Sequence, residues 1–120
     1  MDIQVLVGKT VRSIVGTEQY SEKIIFDCGE HGLFEMLHMQ DCCENVRLED
    51  VTGDVEDLID TPIIEASERS NSTDPAAPGS DESWTWTFYV LATKNGTVTL
   101  RWFGSSNGWY GEEVTFRRAS

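Results

Sequence analysis

Positive charge is scarce. The 120-residue chain carries nine Lys and Arg against 21 Asp and Glu, a formal charge of −12. Proteins that grip nucleic acid need a cationic patch against the phosphates, and surface membrane binders need one against anionic lipid. The balance argues against both ligands. No apolar run approaches the 18 residues that a membrane-crossing helix requires. Residues 1–4 lack the basic start of a secretory leader. Three cysteines form no even set for a disulfide framework. A reducing cytosol is the expected location. Several catalytic signatures are missing too. There is no Gly-x-Ser-x-Gly elbow. Gly8-Lys9-Thr10 lacks the glycine that a phosphate-binding loop places five residues earlier. The acid-rich stretch 50–60 has its glycine, Gly53, too early for a calcium-binding EF-hand.

What is present suits one domain over residues 1–120, with 39% hydrophobic residues for a single core. Charge divides unevenly. Residues 1–82 hold five bases and 19 acids, whereas residues 83–120 hold four bases and two acids. C-terminal strands laid against the acidic part would offset some of its charge, and only that C-terminal part suits an anion.

The pattern predicts a mainly β fold with a minor α component: an antiparallel sheet of seven or eight strands with one or two short helices. Runs at 23–28 and 33–39 flank a Gly-rich turn and read as a hairpin. Residues 46–51 and 63–66 read as further strands, and 55–59 as a helical turn capped by Asp54. Residues 70–82 hold no large apolar side chain and read as a mobile surface loop. Beyond it, Trp84, Trp86, Phe88 and Val90 alternate with Thr85, Thr87, Tyr89 and Leu91. Asn95-Gly96 marks a hairpin turn, and Val98, Leu100 and Trp102 alternate with Arg101 and Phe103. Residues 109–118 are expected to add a third strand to this meander. Aromatics on both faces call for two covers, so a homodimer or larger assembly is expected.

Three clusters carry chemistry. His38, Asp41, Cys42, Cys43 and Glu44 place an imidazole, two thiols and two carboxylates in one turn. His38, Asp41, Cys42 and Glu44 are the weak candidates for a metal, and hence for a metal-dependent enzyme, since His and Cys suit zinc. The adjacent cysteines lack a Cys-x-x-Cys spacing, and the surroundings are too acidic to favour a thiolate nucleophile. A vicinal disulfide is a lesser option. The preferred reading is a packed corner with the cysteines as small apolar fillers. No cofactor is expected. Asp54, Glu56, Asp57 and Asp60 form an acidic face that suits either plain solvation or a basic protein partner. Arg101, Trp102, Asn107, Trp109 and Tyr110 combine rings that stack bases with an arginine that pairs phosphates, a pocket candidate for a nucleotide. The same residue types also anchor protein interfaces.

Four segments, His38-Met39-Gln40-Asp41-Cys42-Cys43-Glu44, Gly53-Asp54-Val55-Glu56-Asp57-Leu58-Ile59, Thr85-Trp86-Thr87-Phe88-Tyr89 and the run from Arg101 to Tyr110, resemble a small family of phage-borne and prophage-borne proteins of unknown function. The resemblance covers nearly all of the chain outside 70–82. It implies no catalytic residue. It implies an accessory protein of a mobile element, and such small acidic proteins are often counter-defence factors. The resulting expectation is a non-enzymatic inhibitor that binds a defence protein such as a CRISPR effector. The alternative partner is a nucleotide second messenger, cyclic or ADP-ribose-like, held as by a sponge.

Overall fold

The computed structural model describes residues 1–119. Its strands are β1 (Ser13–Val15), β2 (Lys23–Asp27), β3 (Leu33–Leu37), β4 (Asn45–Thr52), β5 (Glu65–Asn71), β6 (Ser83–Thr93), β7 (Gly96–Ser106) and β8 (Thr115–Arg118). They form two four-stranded sheets, ordered β1-β2-β3-β8 and β4-β7-β6-β5, and every ladder between them is antiparallel. The mainly β expectation holds. The short helices are 3-10 turns at Ile3–Leu6, Gly29–His31 and Val55–Leu58. Asp54 accepts the Glu56 N–H at 3.0 Å and so starts the last of them, as its capping position implied.

Alternation along the strands builds the core. Ile24 and Phe26 on β2, Phe34 and Met36 on β3, and Phe116 on β8 turn inward from the first sheet. Tyr89 and Leu91 on β6 meet them from the second, with Val98, Leu100 and Trp102 on β7. Period-two burial is what a strand with one inward face requires. Phe34 stacks on Phe116 with centroids 5.6 Å apart. The Trp102 indole N–H reaches across to Met36 Sδ at 3.2 Å, which ties the two sheets at their centre.

Two expectations need correction. Residues 109–118 do not extend the meander. The chain leaves the second sheet after β7, and β8 pairs with β3 in the other sheet. The reason lies in the apolar pattern: Val114 and Phe116 are buried in the shared core, where only the first sheet offers an open edge beside Phe34 and Met36. The segment 70–82 also differs from its reading. Ser70 and Asn71 belong to β5. Ala77 is buried against the outer cluster of Trp86, Phe88 and Phe103. The indoles of Trp84 and Trp86 donate to the carbonyls of Asp74 (2.9 Å) and Pro75 (3.1 Å). A small side chain was enough to anchor the loop because the tryptophans supply the apolar surface. The outer aromatic face is thus partly covered by the chain's own loop, where a second subunit had been expected to supply the cover. Replacing residues 74–81 by a short Gly/Ser link should cost about 1–3 kcal/mol, from two indole hydrogen bonds and the uncovered rings. Urea denaturation of the two proteins measures it.

Candidate functional site

The corner between β3 and β4 is built from the densest chemical cluster of the sequence. β3 ends at Leu37, and His38 follows inward while Met39 and Gln40 face water. The Glu44 carboxylate then folds back over the turn. Its Oε1 accepts from Cys42 N (2.7 Å) and Gln40 Nε2 (3.1 Å), and its Oε2 from Asp41 N (3.1 Å) and His38 Nε2 (3.0 Å). The other ring nitrogen of His38 lies 2.6 Å from the backbone oxygen of Glu113. Burial opposes the charge on Glu44, but the hydrogen bonds from His38 and from backbone amides outweigh it and bring the carboxyl down to about 2. Both nitrogens of His38 therefore face acceptors.

This bonding decides what the corner can do. A metal ligand or general base needs an imidazole nitrogen open to the incoming group, and both ring nitrogens of His38 are already taken up by Glu113 and Glu44. Each Glu44 oxygen already accepts two hydrogen bonds. Cys42 is bonded to Cys43 as a vicinal disulfide. Asp41 is exposed. The four metal candidates do not converge on one ligand position, and no His/Cys/Asp/Glu group among the described residues is arranged to hold an ion. The cysteines are not core fillers either. Both are exposed, because the turn that buries Glu44 pushes its neighbours outward. A cleft of about 630 Å³ opens beside the corner, lined in part by Glu22, Lys23, Leu37, Gln40 and Asn45. Lys23 on its wall lies 3.5 Å from Glu35.

Glu44 makes stability depend on acid. Its folded value lies below the ordinary 4.5, so its contribution is complete above that pH and disappears as pH falls through about 2. Urea melts across this range should show stability dropping with acid in the native protein. Glu44→Gln should flatten that drop and be less stable at neutral pH.

The nucleotide-pocket residues are not gathered together. Trp102 is fully buried between the sheets. Arg101 lies on the opposite face, bonded through Nε and Nη2 to Asp50 at 3.1 and 2.5 Å and over the Trp86 ring at 4.5 Å. Asn107, Trp109 and Tyr110 lie beyond the end of β7 in a separate turn. Arg101 is instead part of a ladder on the outer face of the second sheet. There Arg69 sits over Phe88 at 4.3 Å, and Arg47 lies 5.2 Å from the Tyr20 ring and 5.9 Å from that of Phe103.

The turn after β7 is firmly braced. The Ser106 hydroxyl accepts Gly108 N–H at 3.0 Å and lies in hydrogen-bond reach of Tyr110 O and the Glu112 carboxylate. Glu112 is buried and also accepts from Thr85 at 2.9 Å. Asn107 Oδ1 accepts Trp109 N–H at 3.0 Å, and Gly108 takes φ +95°, a conformation that disfavours a side chain. Gly104 lets the returning chain close in: a Cβ there would sit 2.7 Å from the Glu112 carbonyl. Upon this base Trp109 is 87% exposed. Since His38 holds Glu113, the turn lies beside the Cys42–Cys43 corner. Two sequence clusters thus meet at one end of the molecule. The bracing by Ser106 and Glu112 escaped the sequence reading, because nothing local marks a glutamate as buried.

Asp54, Glu56, Asp57 and Asp60 do form one acidic turn, with all but Asp57 exposed. It lies at the far end of the second sheet, where Thr52 pairs with Thr99. The length of β7 separates it from Trp109 by about 30 Å.

No helix among the described residues is long and apolar enough to cross a membrane. No curated protein and no solved structure matches the chain. A family model described as a domain of unknown function, DUF7448, matches residues 4–116, nearly the whole fold just described, and the chain belongs to that family.

Proposed function

We propose that this is a non-enzymatic, phage-encoded binding protein that acts in the bacterial cytoplasm and inhibits a defence system by docking on one of its proteins, such as a CRISPR effector. One observation carries the reading. A tryptophan left almost wholly in water on a turn braced by a buried glutamate is the arrangement of an interface anchor, since a fixed aromatic loses little entropy on binding. Its surroundings name the partner's chemistry. Asp41, Glu82 and Glu113 are exposed at the same end, Glu82 because Ser83 pairs with Ser106 there. The partner then presents an apolar pocket rimmed by Lys or Arg, as a groove for nucleic acid does. The separation of Arg101 from Trp102 gives the nucleotide sponge less support than the protein partner. A homodimer or larger assembly belongs to the same proposal, and a light-scattering mass of 13.5 kDa at all concentrations would remove it.

The test is phage plaquing on strains that carry single, defined defence systems, with and without the protein. Restored plaquing on one strain, with co-purification of a component of that system, is the expected result. Binding to that component should weaken as salt rises, because the Debye length shrinks to about 10 Å at 0.1 M. Unchanged plaquing on every strain would overturn the reading. Restored plaquing with a nucleotide bound, and no protein, would favour the sponge.

A further inference from the structure

The vicinal cysteines have no structural explanation as a staple. A disulfide stabilises chiefly by closing a loop in the unfolded chain, and this one links neighbours one residue apart. It buries nothing, since both residues are exposed. Yet the backbone around it is held closely. Cys42 N–H is held by Glu44 Oε1 at 2.7 Å and Cys42 C=O by Gln40 Nε2 at 3.1 Å. The same Glu44 holds His38, and His38 holds the backbone of Glu113 beside the Trp109 turn.

We propose that Cys42–Cys43 is a thiol–disulfide exchange site for a dithiol, and that the bonds through Glu44 and His38 carry its state to the Trp109 turn. In the exchange a thiolate of the dithiol attacks one cysteine sulfur, the Cys42–Cys43 bond breaks, and a mixed disulfide forms. The second thiol of the reagent attacks that mixed disulfide and leaves as the cyclic oxidised form. Two electrons and two protons pass to Cys42 and Cys43, which become free thiols. Exposure gives the attacking sulfur its access, and the acidic neighbourhood keeps the protein's own thiols from being the stronger nucleophile. Opening the ring frees the peptide between the cysteines, whose Cys42 carbonyl Gln40 holds, and the same Gln40 amide donates to Glu44, so the turn that Glu44 braces is no longer held from both sides. The third cysteine, Cys28, is buried with its thiol pushed up by burial, which keeps it out of the exchange.

The experiment needs no partner, so it stands or fails apart from the inhibitor reading. Protein purified without reductant is acid-quenched, unfolded and alkylated. One label, on Cys28, is expected, and three after incubation with dithiothreitol. In parallel, NMR of the folded protein follows the His38 ring nitrogens and the Trp109 indole. Both signals should move on reduction and return when the reductant is removed and the thiols are reoxidised with oxidised glutathione. Cys43→Ser should show neither redox-dependent change; if that variant does not fold, Cys42→Ala/Cys43→Ala takes its place. Three labels before any reductant, or one label after it, would overturn the exchange site. Full labelling change with unmoved His38 and Trp109 signals would overturn the relay.

Discussion

Trp102→Ala is expected to lower stability by about 3–5 kcal/mol, the range for emptying a large aromatic site in a closed core. Trp102 is fully buried, lies between the two sheets, and gives its indole N–H to Met36 across the gap. Truncation opens a cavity where β7 meets β3, and neither sheet can collapse into it without breaking its ladder with the strands alongside. Urea denaturation followed by far-UV circular dichroism measures the loss. A change below about 1 kcal/mol, the size of an ordinary surface substitution, would show that the sheets do not share this core.

Trp109→Ala should have the opposite profile. Seven residues further along, it should leave stability within about 0.5 kcal/mol, since the side chain touches water on most sides. Its effect should fall on partner binding, a weakening of about 30-fold or more, which corresponds to the roughly 2 kcal/mol of an interface anchor. Charge reversal at Asp54 and Glu56 provides the control. These residues lie a sheet length away, several Debye lengths at physiological salt, so their reversal should change association only slightly. Titration calorimetry with the purified partner reads both. An unaffected Trp109→Ala complex, with binding lost in Asp54→Lys/Glu56→Lys, would move the interface to the acidic turn.

Much of the fold could be read from local pattern. The two faces of β6 and β7 follow their alternation, and Asn95-Gly96 sits at their turn. Strand periodicity also contained the answer to the nucleotide pocket. Arg101 and Trp102 are neighbours on one strand, so they point to opposite faces, and no pocket on either face could use both. The partner of β8 was not legible, because pairing between distant strands leaves no local trace. The site was half legible. His38 and Glu44 stand in one heptapeptide, and their density was visible. The acceptor that completes the His38 ring is a backbone oxygen of Glu113, and a backbone oxygen has no signature in a sequence. The exposure of Cys42 and Cys43 followed from the burial of Glu44, a long-range fact as well.

The late recruitment of β8 also governs how the molecule is made. Arg117 bonds Glu35 from 82 residues away, and Phe116 stacks on Phe34 over a similar span. The second sheet is largely a run of nearest-neighbour hairpins and can zip along β5, β6 and β7 early. The first sheet keeps an open apolar edge at β3 until residues 115–118 arrive. Non-local closure of this kind places folding toward the slow, millisecond-to-second end for small domains. During that interval β3 is the segment most open to wrong pairing with another chain, and Glu35 with Lys23 of the neighbouring β2 places charge on its outward face, where intermolecular stacking would otherwise begin.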